Sequence, residues 1–469
     1  MTLLAPDLCV IGAGAAGLAV AAGAVQMGAS VVLIERGEMG GDCLNYGCIP
    51  SKSLLAASKL AASWQRGAEL GIRYAPPEID FAAVADSVAQ VVARLAPHDS
   101  VERFEGLGVT VLRAEARFAD AGTVRAGNAE IRARRFVVAT GSSPVVPPIP
   151  GLDQVPFFTN ETIFANRTLP RHLIVIGGGP IGVELAHAHR GLGAAVTIID
   201  AGPLLPRDDP DLVALLAARL TDDGIDLKSS VAIAGIETTS GELAVTLAGG
   251  ERITGSHLLV AAGRRANLAA LDLSTAGIET GTAGIIVDAR LRTTNRRVFA
   301  IGDAAGGPQF THVALYHAGI VIRNALFRLP AKVDYRALPW VTYTDPELAH
   351  VGMTEHTARA AGEVRVLRWS FAENDRAQTE RDTIGEIKIV TNPRGLILGA
   401  TILGAAAGDL ILPWALAISQ KLKIGAMANL IMPYPTRGEA GKRAAGSFYT
   451  PSLFAPRTRR LVRLLARFG

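Results

Sequence analysis

A chain of 469 residues is longer than one hydrophobic core usually serves, so two to four domains are expected. Hydrophobic residues make up 49%, charged residues 19%, and the net charge is only +4, a balance that favours compact α/β packing and argues against a nucleic-acid binder. Three cysteines are too few for an extracellular disulfide scaffold, and the apolar runs fall short of the roughly 18 residues of a membrane span, so a cytoplasmic protein is expected.

The amino-terminal segment carries a glycine-rich nucleotide-binding pattern. An apolar strand precedes Gly12, Gly14 and Gly17, a small-residue helix follows, and a second apolar strand ends on Glu35. Such glycines allow a tight turn and a close approach of the backbone to a pyrophosphate at the helix N-terminus, while the acid can hold the ribose hydroxyls. This order predicts a dinucleotide site, with a bare turn as the weaker alternative.

Two of the three cysteines lie close together just after this unit. Cys43 and Cys48 have four residues between them, and the segment that follows is predicted as a helix with Pro50 in its first turn. A helix N-terminus and the nearby Lys52 both favour a thiolate, the form that attacks disulfides. We therefore predict a redox-active pair. A structural staple and half of a zinc site are the alternatives, but zinc would need further ligands.

The glycine pattern recurs in the middle of the chain. An apolar strand leads into Gly177, Gly179 and Gly182, and the next strand ends on Asp200, at the same spacing from the last glycine as in the first copy. Two dinucleotides are therefore predicted.

The acid of the second copy also indicates which dinucleotide binds there. Asp200 would accept hydrogen bonds from a free 2′-hydroxyl and would repel a 2′-phosphate, so NADH is expected rather than NADPH. The alternatives are that Asp200 only opens the next turn, or that Arg190 or Arg207 serves a phosphate.

Further positions at strand ends are expected to contact the cofactors. Apolar strands run into Thr140 and Gly141 between the two copies, and into Gly263 after the second copy. Asp303 follows another buried strand, where it can bind a ribityl hydroxyl or can be a plain turn aspartate. Gly41, next to the cysteine pair, is expected at the cofactor as well.

The composition changes near residue 339, where the glycine patterns stop. Segments 341–347 and 386–390 are predicted as antiparallel strands, with helices later. The tail, residues 457–469, places leucines and Phe468 on one helical face with arginines around it. We expect this helix to pack against a subunit, and contact with an anionic membrane or a protein partner is the alternative.

Together these motifs resemble the FAD-dependent pyridine nucleotide-disulphide oxidoreductases over nearly the whole chain. The most specific part is residues 40–52, which read Gly-Gly-Asp-Cys-Leu-Asn-Tyr-Gly-Cys-Ile-Pro-Ser-Lys. The resemblance implies an α/β fold with two nucleotide-binding Rossmann-like domains and an α+β dimerisation domain. The implied bounds are 1–150 and 268–335 for the FAD domain, 151–267 for the NAD(P) domain, and 336–469 for the dimerisation domain with its basic C-terminal helix.

The same resemblance implies roles for the site residues. FAD would occupy the first nucleotide site and NAD(P)H the second, with the flavin ring between the nicotinamide and the cysteines. Cys48 would lie against the flavin as the charge-transfer thiolate, and Cys43 would exchange with the substrate. Lys52 and Glu184 would form an ion pair beside the flavin that stabilises its reduced form. A homodimer would complete the active site across a two-fold axis.

The carboxyl-terminal segment departs from the disulfide-reducing relatives, which carry a His-Pro-Thr-x-x-Glu motif. Here Tyr434 takes the place of the catalytic histidine, while Glu439 matches the glutamate. A tyrosine with an unperturbed pKa of about 10 cannot take a thiol proton at neutral pH as imidazole does, and such help is typically worth about 10²–10⁴ in rate. Mercuric reductases also resemble this segment, because they have tyrosine there, but they deliver the ion with a carboxyl-terminal cysteine pair, and no cysteine follows Cys48.

We therefore expect an FAD enzyme that couples NAD(P)H to a Cys43/Cys48 disulfide. Its acceptor is expected to be a small-molecule or protein disulfide or dithiol, with a metal ion or a quinone as the alternative. No metal site is predicted. The non-enzymatic alternative is a flavoprotein that senses redox state or docks on a membrane through its basic tail.

Overall fold

The first third of the chain alternates strands with helices around the first glycine pattern. The computed structural model describes residues 1–73, 75–239 and 241–468. The strands are β1 (Thr2–Leu4), β2 (Leu8–Ile11), β3 (Val31–Glu35), β4 (Thr110–Arg113), β5 (Ala116–Asp120), β6 (Thr123–Ala126), β7 (Ala129–Ile131), β8 (Arg135–Val138) and β9 (Ser142–Pro144). The helices are α1 (Ala15–Gln26), α2 (Gly41–Asn45), α3 (Cys48–Ala62), α4 (Trp64–Gly67), α5 (Phe81–Leu95) and α6 (Val101–Gly106).

The middle third repeats this alternation around the second glycine pattern. Its strands are β10 (His172–Ile176), β11 (Ala195–Asp200), β12 (Ile225–Ser229), β13 (Ile233–Thr239), β14 (Glu242–Leu247), β15 (Arg252–Gly255), β16 (His257–Val260), β17 (Arg264–Ala266) and β18 (Val298–Ala300). Its helices are α7 (Pro180–Gly191), α8 (Pro210–Asp222) and α9 (Thr311–Ala325).

The last third is a sheet followed by short helices. Its strands are β19 (Pro339–Thr342), β20 (Glu347–Gly352), β21 (Arg365–Ser370), β22 (Glu386–Thr391) and β23 (Ile397–Gly404). Its helices are α10 (Glu355–Ala361), α11 (Asp375–Thr379), α12 (Ala407–Leu410), α13 (Leu412–Ser419), α14 (Ile424–Ala428), α15 (Glu439–Ser447), α16 (Thr450–Leu453) and α17 (Pro456–Leu465).

Two parallel sheets carry the two glycine patterns and share one topology. The first has the order β18-β8-β2-β3-β4 and the second the order β12-β11-β10-β16. In each sheet, the strand before the glycines lies between the strand that ends on the acid and a strand added later on the other side. Strands β2 and β10 are almost wholly buried, as expected where helices cover both faces of a parallel sheet. The glycine loops therefore lie at the switch points where α/β sheets bind ligands.

Strand β18 returns the chain to the first sheet after the second sheet is complete, because it pairs in parallel with β8. This return brings Asp303 to the carboxyl end of the first sheet. Smaller sheets flank the parallel ones, with the orders β1-β7-β6-β5, β13-β14-β15 and β17-β9.

The carboxyl-terminal sheet is antiparallel, with the order β19-β20-β23-β22-β21, and its core includes Trp414 of α13 and Ala444 of α15. The strand predicted over 386–390 is confirmed as part of β22. The strand predicted over 341–347 is wrong in the middle, because β19 ends at Thr342 and β20 begins at Glu347. Pro346 has no N–H for a ladder, and Asp-Pro favours a turn there.

Among the residues described, no helix is both long and apolar enough to cross a membrane.

Candidate active site

Close backbone contacts explain the first and third glycine of each pattern. Gly12 and Gly177 have φ angles of +104° and +121°, and a Cβ at either would lie 2.4 Å from a carbonyl oxygen of the neighbouring strand end. A Cβ at Gly17 or Gly182 would lie 1.8 or 2.0 Å from the carbonyl oxygen of the first glycine in its own loop. These four positions therefore accept only glycine, and the third glycine acts through packing rather than through the ligand.

The second glycine of each pattern faces open space instead. A Cβ at Gly14 would meet only Gly41, at 3.9 Å, and one at Gly179 would meet nothing within 4 Å. Gly41 has a φ of +60°, and a Cβ there would lie 2.7 Å from Gly14. Both loops thus leave a cradle at the N-terminus of a helix, of the kind that fits a pyrophosphate.

The acid of each copy is held by its own loop. Glu35 accepts one backbone hydrogen bond from the glycine loop at 2.6 Å and one from two residues further along the chain at 2.7 Å. Asp200 accepts the same two bonds, each at 2.6 Å. A carboxylate has capacity for further donors, so both acids are oriented with lone pairs left for ribose hydroxyls.

One cavity of about 1550 Å³ joins both nucleotide patterns to the cysteine pair. Its walls include most of the site residues predicted from the sequence: Gly12, Gly14, Glu35, Gly41, Cys43, Cys48, Lys52, Thr140, Gly141, Gly177, Gly179, Glu184, Asp200, Gly263 and Asp303. A smaller cavity of about 350 Å³ lies beside Glu35 and Arg36. The open glycine cradles and this continuous space fit two dinucleotides that meet near the cysteines.

The cysteine pair is set by two consecutive helices. Cys43 lies in α2 and Cys48 is the first residue of α3, so the predicted helix after the pair is confirmed, with Pro50 in its first turn. The two cysteines are not joined by a disulfide in this structure. Cys48 Sγ lies 3.6 Å from the hydroxyl of Thr311, at the start of α9.

The two sulfurs have opposite preferences for a proton. A hydrogen bond from Cys43, a second from Thr311 and the charge of Lys52 lower the pKa of Cys48 to about 6, although burial and Glu184 oppose them. The same hydrogen bond to Cys48, together with burial, raises the pKa of Cys43. At neutral pH the arrangement is therefore a thiolate at Cys48 and a thiol at Cys43.

An ion pair joins the cysteine helix to the second nucleotide unit. Lys52 Nζ lies 2.7 Å from Glu184 Oε2, and the side chain of Glu184 is only 7% exposed. The other oxygen of Glu184 accepts the N–H of Tyr343 at 2.9 Å, and Lys52 Nζ lies 4.4 Å from the centre of the Tyr343 ring. Helices α3 and α7 and the turn after β19 therefore fix one positive charge beside the sulfurs.

Asp303 is linked to the cysteine segment by a polar chain that no motif predicted. Ser142 Oγ donates to Asp303 at 2.5 Å and accepts from Arg264 Nε at 2.8 Å. Arg264 Nη2 lies 3.0 Å from the carboxylate of Asp42, which also accepts from Asn160 at 3.0 Å. Burial raises the pKa of Asp303. Arg264 directly follows Gly263, and Asp42 directly precedes Cys43, so only their positions beside predicted residues could have marked them.

The structure does not place Tyr434 and Glu439 at this cavity. Tyr434 is 69% exposed and donates to Asp375 Oδ2 at 2.9 Å. That hydrogen bond and the charge of Asp375 raise the pKa of Tyr434. Glu439 opens α15 and lies 3.1 Å from Arg443. Neither residue contacts the cysteines of its own chain.

The two arginines considered for a 2′-phosphate differ in their surroundings. Arg190 donates to the backbone oxygens of Asp223 at 2.6 Å and of Ala194 at 3.1 Å, so it is committed to the protein. Arg207 lies on the cavity wall with Asp208, whose carboxyl has a pKa raised to about 6 by burial.

Two family models match this chain, one over its nucleotide-binding part and one over its carboxyl-terminal part. Residues 6–318 match the family described as pyridine nucleotide-disulphide oxidoreductase, and residues 338–445 match the dimerisation domain of that family. A mercuric reductase of Lysinibacillus sphaericus is 36% identical over 450 residues, which cover 94% of this chain and 82% of that protein. A dihydrolipoyl dehydrogenase of Geobacillus stearothermophilus is 37% identical over 456 residues, with 94% and 95% covered. The Cu(II) complex of the HOCl-induced flavoprotein disulfide reductase RclA from Escherichia coli superposes with a TM-score of 0.85 at 29% identity, over 93% of this chain and 98% of that one.

Proposed function

Because this chain belongs to the pyridine nucleotide-disulphide oxidoreductase family and is an FAD- and NAD(P)H-dependent oxidoreductase, we propose that electrons leave it through Cys43 and Cys48. The family, the fold class and the enzyme class predicted from the motifs are confirmed, and the chain carries the family's dimerisation domain.

The two nucleotide sites are assigned by their place in the chain. Gly12, Gly14 and Glu35 would hold the adenosine half of FAD, and Asp303 would hold its ribityl chain. When bound, FAD supplies a ring that accepts a hydride and passes electrons on to sulfur. Lys52 provides a fixed positive charge for that end of the cavity, and Glu184 keeps its ammonium group in place.

The second site is proposed to take NADH. Asp200 would bind a free 2′-hydroxyl, whereas a 2′-phosphate would meet the negative charge of this carboxylate. Arg190 is engaged with backbone oxygens and Arg207 stands beside Asp208, which weakens the case for a phosphate site. The ratio of kcat/KM for NADH to that for NADPH tests this assignment, and a ratio below one would contradict it.

The sulfurs are proposed to act in sequence. Cys48 holds the thiolate near Lys52, while Cys43 keeps its proton and exchanges with the acceptor. When the pair closes to a disulfide it gives two electrons to the acceptor and releases the proton of Cys43. In the opposite half-reaction, two electrons reopen the disulfide and Cys43 takes the proton back.

The acceptor is proposed to be a soft metal ion that both sulfurs bind directly. The observation that carries this choice is the state of Tyr434, which donates to Asp375 and has a raised pKa. A phenol held protonated cannot take the proton of Cys43 for attack on a substrate disulfide, whereas a thiophilic metal ion displaces that proton as it binds. The mercuric reductase relative is consistent with such an acceptor. A small disulfide is the second candidate, because the dihydrolipoyl dehydrogenase relative is equally similar.

Anaerobic NADH oxidation with separate acceptors tests this proposal. Mercuric and cupric ions, lipoamide and glutathione disulfide would each be offered to the FAD-loaded protein. We expect at least one metal ion to exceed lipoamide in kcat/KM by about 10²-fold or more, the usual value of the missing acid–base help. Cys43→Ser is the control that should lose turnover with every acceptor. Faster turnover of lipoamide than of either metal ion would overturn the metal-ion proposal.

A further inference from the structure

The carboxyl-terminal tail, defined here as residues 450–468, presents an apolar stripe that no other described residue of the chain covers. Leu461, Leu464 and Leu465 are 53%, 50% and 57% exposed, and Phe468 is 81% exposed. Leu464 and Leu465 follow Leu461 by three and four residues, so these three leucines lie on one side of α17, and Phe468 follows the helix. We propose that this tail docks the enzyme on the surface of an anionic lipid membrane.

The charge of the tail is complementary to that surface. Residues 450–468 contain no aspartate or glutamate. They contain five arginines in or beside α17, which are Arg457, Arg459, Arg460, Arg463 and Arg467. Arginines on a short amphipathic helix reach lipid phosphates while their stems lie along the apolar boundary. The tail thus combines the two attractions that interfacial helices use.

The apolar surface extends beyond the last helix. Leu453 and Phe454, at the end of α16, are 57% and 64% exposed. Helix α17 itself spans only ten residues, and in the described part of the chain no helix qualifies as a membrane span. A helix of this length can lie in the interface with its apolar side buried by roughly 5–10 Å, but it cannot cross the bilayer.

A second copy of the chain is a poorer occupant for this stripe. If α17 paired with itself across a two-fold axis, its arginines would approach those of the other copy, and like charges repel. The tail also lies outside residues 338–445, the part that matches the family's dimerisation domain. Within that part, Leu412, Leu416 and Ile431 are strongly exposed and offer an apolar surface for subunit pairing.

Vesicle flotation of the full-length, FAD-loaded protein tests the proposal. One set of vesicles contains phosphatidylcholine alone, and the other contains equal parts of phosphatidylcholine and phosphatidylglycerol. We expect the protein to float only with the second set and to be released at high salt, because salt screens exposed charges. Equal recovery with both sets, or no flotation with either, would overturn the proposal.

Charge variants separate the tail from the general charge of the protein. Arg459→Ala with Arg463→Ala should weaken binding by roughly fivefold for each arginine removed, since each basic residue adds a similar attraction near an anionic surface. Arg94→Ala with Arg394→Ala removes the same charge from exposed positions elsewhere and should leave binding unchanged. Equal losses in both pairs would mean that the tail is not the contact.

Apolar variants test the stripe itself. Leu461→Ala with Leu465→Ala should weaken binding by about 20-fold for each leucine. Leu215→Ala, at an exposed position of α8, is the matched control and should not change binding.

Light scattering on the protein truncated before Pro456 decides between the membrane and a subunit. If truncation splits the oligomer, the stripe covers a second copy and the membrane proposal is wrong.

Discussion

The neighbours of Cys48 and of Tyr434 shift the pKa values of these two groups in opposite directions. Cys48 lies near hydrogen-bond donors and the ammonium group of Lys52, which lower its pKa to about 6. Tyr434 lies near Asp375 and Glu439, which raise its pKa. One group is therefore made anionic at neutral pH, and the other is kept neutral.

This contrast shows where the chemistry of the enzyme is concentrated. The cysteines lie next to the Lys52–Glu184 ion pair, in charged surroundings that suit a site for a thiolate. The segment that carries Tyr434 is exposed and offers only a hydroxyl whose proton is held by Asp375. An acceptor that the sulfurs bind directly reacts at the cysteine pair and does not need an acid or a base from the segment with Tyr434.

Removing the thiolate should have the largest effect. Cys48→Ser should lower acceptor reduction by roughly 10³-fold or more, because a hydroxyl is not a comparable nucleophile. It should also abolish the long-wavelength absorption of a thiolate beside oxidised flavin, measured after anaerobic addition of one equivalent of NADH. Cys43→Ser is the matched variant, and it should keep that absorption while losing turnover. If the two variants exchanged these properties, the assignment of the sulfurs would be reversed.

Breaking the ion pair between Lys52 and Glu184 should have the second largest effect on the rate. Glu184→Gln leaves the Lys52 ammonium without its carboxylate, and we expect reduction of the protein by NADH to slow by about 10²-fold. Stopped-flow absorbance measures that step. Glu242→Gln breaks the exposed pair between Arg171 and Glu242 and should change the rate little. Equal slowing in both variants would show that the Lys52–Glu184 pair has no special place in the reaction.

The third test concerns the pKa of Cys48. The thiolate absorption should disappear as the pH falls through about 6, since the pKa of this thiol is lowered. The stability that comes from the lowered pKa is present above the ordinary thiol pKa and is lost as the pH falls through 6.

Thr311→Val should raise that midpoint by about one pKa unit, the value of one hydrogen bond to a charged group. Thr311→Ser keeps the hydroxyl and should leave the midpoint close to that of the unmodified protein. An unchanged midpoint in the valine variant would mean that Thr311 does not stabilise the Cys48 thiolate.

The smallest effect is expected at Asp375. Asp375→Asn removes the charge that holds the phenol proton, so the pKa of Tyr434 should fall towards its ordinary value. Ultraviolet difference spectra against pH, compared with Tyr434→Phe, would identify the change. Turnover of a metal acceptor should change by less than about threefold, because no base is needed there. A large loss of metal turnover would mean that Tyr434 takes part after all.

The sequence predicted the residues whose main contacts lie close to them along the chain. The glycine spacing and the acids Glu35 and Asp200 predicted both nucleotide loops, because each acid bonds to its own loop and the third glycine packs on the first. The close approaches at Gly12 and Gly177 come from strands that follow much later in the chain. The position of Cys48 at a helix start was readable for the same reason. Lys52 and Glu184 came from the family resemblance, and the structure places them 2.7 Å apart.

Long-range partners could not be predicted in this way. Thr311 reaches Cys48 only because β18 brings the chain back to the first sheet. Arg264 and Asp42 form an ion pair although they are far apart in the chain, and no sequence motif marks either residue as a partner of the other. The prediction of one strand over 341–347 was wrong because the alternating pattern does not reveal a turn. Pro346 lacks the N–H that a strand ladder needs at that point.

Replacing Tyr434 with histidine distinguishes a metal-ion acceptor from a disulfide acceptor. Tyr434→His would restore the residue of the disulfide-reducing relatives, and kcat/KM would be measured for lipoamide and for mercuric ion in the variant and the unmodified protein. We predict a gain of about 10²-fold or more with lipoamide and a change of less than about threefold with mercuric ion. Efficient lipoamide turnover by the unmodified protein, with no gain in the variant, would show that Tyr434 does not disfavour disulfide acceptors.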